Sequence, residues 1–142
     1  MRKMLLIISA FLALSLTLSA QERVSSSVLV IPVEFSDVKF ENKNVKSILT
    51  DIFIGTSHPG SSVSDYLRDN LSVLYDFEFQ IIDVVTLSNP MSYYGGNSEG
   101  ADTNLKAFVQ DATFIADTLG VDFSIYDSDS DGVVDNIFLI YA

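Results

Sequence analysis

The sequence predicts an α/β fold, in which helices sandwich a mainly buried sheet. Apolar, β-rich runs at Ser27–Phe35 and Val133–Tyr141 have the character of strands covered on both faces. Between them lie segments whose apolar residues recur at helical spacing. The order is strand, two helices, strand, helix, acidic loop, strand, and that alternation sets helices against a sheet.

Taken in order, SVLVIPVEF at Ser27–Phe35 is the first strand. Pro32 cannot donate to a ladder, so it implies an edge or a bulge. Ser36-Asp37 begins a polar loop, and Asn44 is placed to cap a helix. That helix carries Val45, Ile48, Leu49, Ile52 and Phe53 on one face, with Gly55 as its stop. After a loop from Thr56 to Gly60, Ser62 and Asp65 form a capping-box-like pair opening a second helix. Its expected inner stripe is Val63, Tyr66, Leu67 and Leu71. Phe77, Phe79 and Ile81 alternate with Glu78 and Gln80, so about Asp76 to Leu87 reads as one strand, wet on one face at its start. Ser88-Asn89-Pro90 ends it. Tyr93-Tyr94-Gly95-Gly96-Asn97 reads as a loop that anchors a connection, with cleft lining as the functional alternative. Asp102 or Thr103 then caps a long helix ending at Gly120, whose Leu105, Phe108, Val109, Ala112, Ile115, Ala116 and Leu119 form a core stripe. Val133–Tyr141 is the closing strand. No period repeats and no low-complexity linker divides the chain, so one domain, or part of one, is expected.

Residues 1–20 form a targeting segment. Arg2 and Lys3 precede the apolar run Leu5–Leu18, and the small residues Ser19 and Ala20 lead into Gln21-Glu22. The expectation is a cleaved secretory signal and a secreted, extracellular protein of residues 21–142. The run is short for a membrane span and soon interrupted, so no stable span is expected after cleavage; an uncleaved anchor is the alternative. The 142 residues include no cysteine, so no disulfide forms and stability outside the cell must come from packing, to which a bound metal could add. Eight basic against nineteen acidic residues give a formal charge of -11. Both Arg2 and Lys3 leave with the signal, so the mature part is more acidic still, which argues against a nucleic-acid partner.

The chemistry is concentrated in Asp127-Ser128-Asp129-Ser130-Asp131-Gly132-Val133-Val134-Asp135. Calcium prefers several oxygen ligands, and carboxylates at alternate positions can wrap one ion if a glycine lets the backbone turn after the third. The expected ligands are Asp127, Asp129, Asp131 and Asp135. An ordinary EF-hand is excluded, because its bidentate glutamate position holds the apolar Phe138. The loop is closer to the shorter aspartate loops of secreted calcium-stabilised proteins, and the bland alternative is a solvated acidic turn.

Elsewhere no catalytic apparatus is recognisable. His58 is the single histidine, so no His-Glu-x-x-His zinc site exists, and the absence of cysteine leaves only carboxylates, a poor set for zinc. There is no Gly-x-Ser-x-Gly turn to accompany His58 in a serine triad. Nineteen acids provide many carboxylate pairs for glycoside hydrolysis, but nothing selects one. Glu34 is the oddest acid by position, and a sheet end or edge would explain it. Gly95-Gly96 lacks the further glycines and the lysine of a phosphate loop.

Several segments in order resemble the amino-terminal part of the catalytic region of secreted zinc metallopeptidases of the immune inhibitor A family. They are Val28 to Asp37, Ser64 to Asn70, Tyr93-Tyr94-Gly95-Gly96, and Val121-Asp122-Phe123 through Tyr126-Asp127 to Asp135. Together they span the mature chain from Val28 onward. The resemblance implies a zincin-like, metzincin-type mixed sheet with packed helices, incomplete at its C-terminus, since the family's zinc helix lies farther along. Neither its zinc histidines nor its catalytic glutamate maps to this sequence, whereas the aspartate loop does. A departure follows Asn70, where Leu71-Ser72-Val73-Leu74-Tyr75 replaces the family's glycine turn.

The function this implies is the front part of a secreted zinc metalloendopeptidase acting on protein or peptide substrates, with a calcium-stabilised loop. Zinc is expected only downstream, and the 142-residue chain alone is expected to be inactive. The apolar finish at Ile137–Ala142 is expected to mark a truncation rather than a natural terminal strand. The alternatives are a self-contained calcium-binding or adhesion module, and an inactive relative retained for binding.

Overall fold

Strand β1 (Val24–Glu34) is the axis of the molecule. Its stretch from Val28 to Val33 is buried, and alternation sends Val28 and Val30 to one face and Leu29, Ile31 and Val33 to the other. Each set seeds its own core cluster. The computed structural model describes residues 24–57, 60–71, 75–98 and 101–142. The expected signal segment at residues 1–20, His58 and residues 72–74 lie outside the described residues.

The sheet is open and parallel, with helices on both faces, so the α/β class read from the sequence is present. Strand β2 (Tyr75–Ile81) pairs with Val24–Val30, β3 (Val85–Thr86) with Val33–Glu34, and β6 (Ile137–Tyr141) with Leu29–Val33. Because β6 shares β1 residues with both β2 and β3, it holds one flank and they hold the other. Pro32 explains why the expected single strand is two. Ile82 N–H donates to the Val30 carbonyl and Leu87 N–H to that of Glu34, so even-numbered β1 residues address the β2–β3 flank. Pro32 turns its donorless nitrogen to the segment between Ile81 and Val85, where the partner has one residue more than β1. The bulge therefore lies opposite the proline, and no ladder bond is lost.

Helices α1 (Val45–Ile54) and α2 (Val63–Asn70) lie between β1 and β2 in the chain. α1 buries Val45, Leu49 and Phe53 against Val28 and Val30, while Ile48 is exposed, so the apolar face is narrower than expected. The capping box at α2 is complete: Asp65 N–H donates to Ser62 Oγ at 3.1 Å and Ser62 N–H to Asp65 Oδ2 at 3.2 Å. Val63 and Leu67, four apart, pack on the cluster, but Tyr66 is 61% exposed and Leu71 also faces out. A helix this short at the rim makes one line of contact, which corrects the expected stripe.

The second face is built from α3 (Met91–Tyr94), the small antiparallel pair β4 (Asn97–Ser98) and β5 (Ala101–Asp102), and α4 (Leu105–Thr118). α4 lays Phe108, Ala112 and Ala116 on Leu29, Ile31 and Val33, and the two alanines let it sit close to the sheet. Leu105, Val109 and Leu119 are exposed, which narrows the expected seven-residue stripe: the fully buried line follows i, i+4, i+8, and Ile115 packs half-buried beside it. Asn104, not Asp102 or Thr103, holds the cap position; its Nδ2 donates to Tyr93 O, and Thr103 Oγ1 donates to Gly96 O. α4 ends in a Schellman motif, with Gly120 at φ +88°, its N–H on Asp117 O and Val121 N–H on Ala116 O. The closing strand begins at Ile137, because Val133 to Asn136 complete the acidic loop.

Candidate metal centre

The acidic loop hangs between two fixed points. At its start a 3-10 turn (Phe123–Tyr126), capped by Asp122 accepting from Ser124 N–H at 3.0 Å, drives Tyr126 into the core. Tyr126 is buried and donates its hydroxyl to Gln80 Oε1 of β2 at 2.6 Å. Burial pushes its phenol above the ordinary range, so it stays neutral and serves as an anchor. At the other end, Asp135 N–H donates to Tyr126 O at 2.9 Å, closing the loop on its own beginning immediately before β6.

Within this frame the backbone wraps around Asp127. Its Oδ2 accepts Gly132 N–H at 2.8 Å and its Oδ1 accepts Asp131 N–H at 3.1 Å. Asp131 Oδ1 in turn accepts Val133 N–H at 2.8 Å. Turning this tightly needs left-handed backbone at Ser130, φ 60°, and at Gly132, φ +87°. The glycine stands where the sequence required a sharp turn.

The result brings one carboxylate oxygen each from Asp127, Asp129 and Asp131 within 4.8 Å of one another. Asp135 stands outside that group. Its Oδ2 accepts the Ser128 N–H at 3.0 Å and the Ser128 hydroxyl as well, and these bonds, the hydroxyl first, hold its carboxyl below the usual range. Asp135 thus fastens the loop, a role invisible in the spacing that placed it fourth among the ligands. Ser128 and Gln80 were not singled out by sequence at all. Ser128 lies inside an Asp/Ser turn where any hydroxyl is unremarked, and Gln80 meets Tyr126 across 46 residues of chain.

Three hard oxygen donors on a glycine turn suit calcium. The described residues contain neither histidine nor cysteine, and three carboxylates on a surface loop do not fit zinc, which favours nitrogen and sulfur ligands. No route to hydrolysis is therefore built from them.

The other singled-out groups are structural. Glu34 Oε1 accepts Phe40 N–H at 3.1 Å and its Oε2 meets Lys39 Nζ at 3.4 Å, tying down the loop after β1. Asp37 Oδ1 accepts Met91 N–H at 2.9 Å at the start of α3. Tyr94 is buried, packs tilted against Phe35 and edge-on to Phe108, and donates to Asp111 Oδ2 at 2.8 Å, as an anchor would. No helix among the described residues is long and apolar enough to cross a membrane. Compared with known proteins, the chain matches no family model, and no curated protein is significantly similar to it.

Proposed function

We propose that this chain is the amino-terminal part of the catalytic region of a secreted, extracellular zinc metalloendopeptidase, in which calcium on Asp127, Asp129 and Asp131 braces the loop before β6. The convergence of those three carboxylates, between a buried tyrosine anchor and the last strand, carries the reading. The zincin-like, metzincin-type architecture is supported by the parallel sheet covered on both faces and by the ordered family-like segments. Zinc and its ligands belong to a continuation of the chain, where the metal would polarise the scissile carbonyl of a protein or peptide substrate. The residues present supply scaffold, and alone they are inactive.

Reading the coding frame beyond Ala142 tests this directly. A His-Glu-x-x-His motif in frame, and proteolysis by the full product that a chelator abolishes, are the expected results; a genuine stop after Ala142 refutes the peptidase. In that event the second reading stands, a self-contained calcium-binding or adhesion module. It is favoured by the same cluster and by the lack of a catalytic set among the described residues.

A further inference from the structure

We propose that Asp131-Gly132 is a self-modification site, where the acidic loop's own groups drive Asp131 through a succinimide to isoaspartate. No other Asp-Gly and no Asn-Gly pair occurs in the 142 residues. The reaction has a main-chain nitrogen attack the side-chain carboxyl just before it, so it is favoured by an unhindered nitrogen, a base for its proton and a polarised carbon. All three meet here. Gly132 has no side chain, and an added Cβ would find nothing within 4 Å. Its N–H donates to Asp127 Oδ2 at 2.8 Å, a carboxylate placed to take the proton. Asp131 Oδ1 accepts Val133 N–H at 2.8 Å, which folds the carboxyl back along the peptide carrying the Gly132 nitrogen and draws charge from Cγ. Both residues are exposed, so water reaches the bond. Asp129 supplies a contrast within the loop. It makes the matching contact, its Oδ1 accepting Asp131 N–H at 3.2 Å, but the nitrogen that would attack it belongs to Ser130 and meets no carboxylate among the described residues.

In the first step the Gly132 nitrogen bonds to Asp131 Cγ and gives its proton to Asp127 Oδ2. One carboxyl oxygen of Asp131 leaves as water, carrying that proton and a second from solvent. Water then adds to the main-chain carbonyl carbon of residue 131 and breaks its bond to the Gly132 nitrogen, releasing one proton. The chain now runs through Cγ, and the former main-chain carbonyl is a free carboxylate. Mass and charge are those of the starting chain, and no oxidant or reductant takes part. The backbone has gained a methylene, and the carboxylate of residue 131 stands on Cα instead of at the end of a side chain. It is thereby withdrawn from the convergence with Asp127 and Asp129. Resting on the reading of calcium as the loop's ion, the modification is a lasting loss of that brace. Calcium opposes it, because the oxygens of Asp127 and Asp131 that the reaction uses are those the ion would occupy.

The test is a timed incubation of the full chain in warm neutral buffer, with calcium, with a calcium-selective chelator, and unfolded in urea with chelator. Mass spectrometric peptide mapping reads each bond. With chelator alone, Asp131 should accumulate isoaspartate, preceded by a succinimide lighter by one water, while Asp129 stays unchanged. The rate should fall at least about tenfold in calcium and in urea, where the base is occupied or removed. Asp127→Asn, shown to be folded by circular dichroism, should slow the reaction by a similar factor. Should that variant unfold, the urea comparison on the unaltered chain decides. A rate in urea equal to or above that of the folded chain overturns the proposal, as does an unslowed, folded Asp127→Asn. Equal rates with and without calcium, in samples whose unfolding midpoint does rise with calcium, overturn it too, since a calcium-bound Asp127 is no longer free to take the proton. A midpoint that ignores calcium sinks the calcium reading alone, and the urea comparison then decides the modification site.

Discussion

Replacing Asp129 by Asn should reverse its effect on stability according to whether calcium is present. The substitution keeps the shape and the Oδ1 acceptor that takes Asp131 N–H at 3.2 Å, so the turn itself is spared. With carboxylate oxygens no more than 4.8 Å apart, each like-charged pair costs at least about 0.9 kcal/mol in water before salt screening. The change removes two of the three pairs, so without calcium the variant should equal or exceed the parent in stability. With calcium the parent gains RT ln(1 + [Ca]/Kd), about 1.4 kcal/mol at ten times Kd. For a chain of this size that raises the unfolding midpoint by roughly 4–7 °C, and the variant, a ligand short, should lose most of the rise. Thermal unfolding followed by circular dichroism, with calcium and with a calcium-selective chelator, measures all four states. A parent midpoint that ignores calcium refutes the site, as does a variant whose calcium response is undiminished. Asp135→Asn is the companion measurement: its carboxylate is bonded to Ser128, so most of the calcium response should survive.

Gly132→Ala should destabilise the protein by about 1–2 kcal/mol with or without metal, because φ +87° admits a side chain only under strain although the surrounding space is open; a urea midpoint equal to the parent's contradicts this. Ser62→Ala removes a buried cap from α2 and should cost about 1 kcal/mol by chemical unfolding, with a loss near zero counting against the capping box. The carboxyls of Asp65, Asp122 and Asp135 are lowered by hydrogen bonds to Ser62, Ser124 and Ser128 respectively. A folded-state pKa below the unfolded one means the stabilisation is present above the ordinary carboxylate value of about 4 and is lost as pH falls through the folded value. Urea midpoints should therefore fall between about pH 5 and pH 2, less steeply in Asp135→Asn, and an identical profile in that variant rules out the Ser128 tie.

The element order was legible because it is written in apolar spacing, which reports how a segment repeats rather than what it meets. For α4 the spacing allowed seven inward residues, and the flat, close approach of Ala112 and Ala116 to the sheet left room for fewer. The break between β2 and β3 is set by Pro32 on a different strand, so no reading of residues 76–87 alone reveals it. At the acidic loop the alternate aspartates and Gly132 were legible, since type and spacing determine which oxygens can converge. Whether Asp135 turns inward or back to Ser128 depends on rotamers and on the closure at Tyr126, about which spacing is silent.

Position in the sheet bears on what the loop is for. It immediately precedes Ile137, which pairs with Leu29, so it sits at the amino-terminal end of β6, whereas open parallel sheets bind ligands in the crevice beyond their carboxyl ends. Here the carboxyl ends of β1 and β6 open on a different feature, a recess of about 200 Å³ lined mainly by Phe35, Met91, Tyr94, Leu105, Phe108 and Tyr141, with Asp102 also at its wall. The two are thus separated by the length of the strands. A cation at the aspartates would act on the chain connecting α4 to β6, neutralising charges that otherwise repel within a tight turn. That is support for the strand rather than a contribution to chemistry at the sheet's far end.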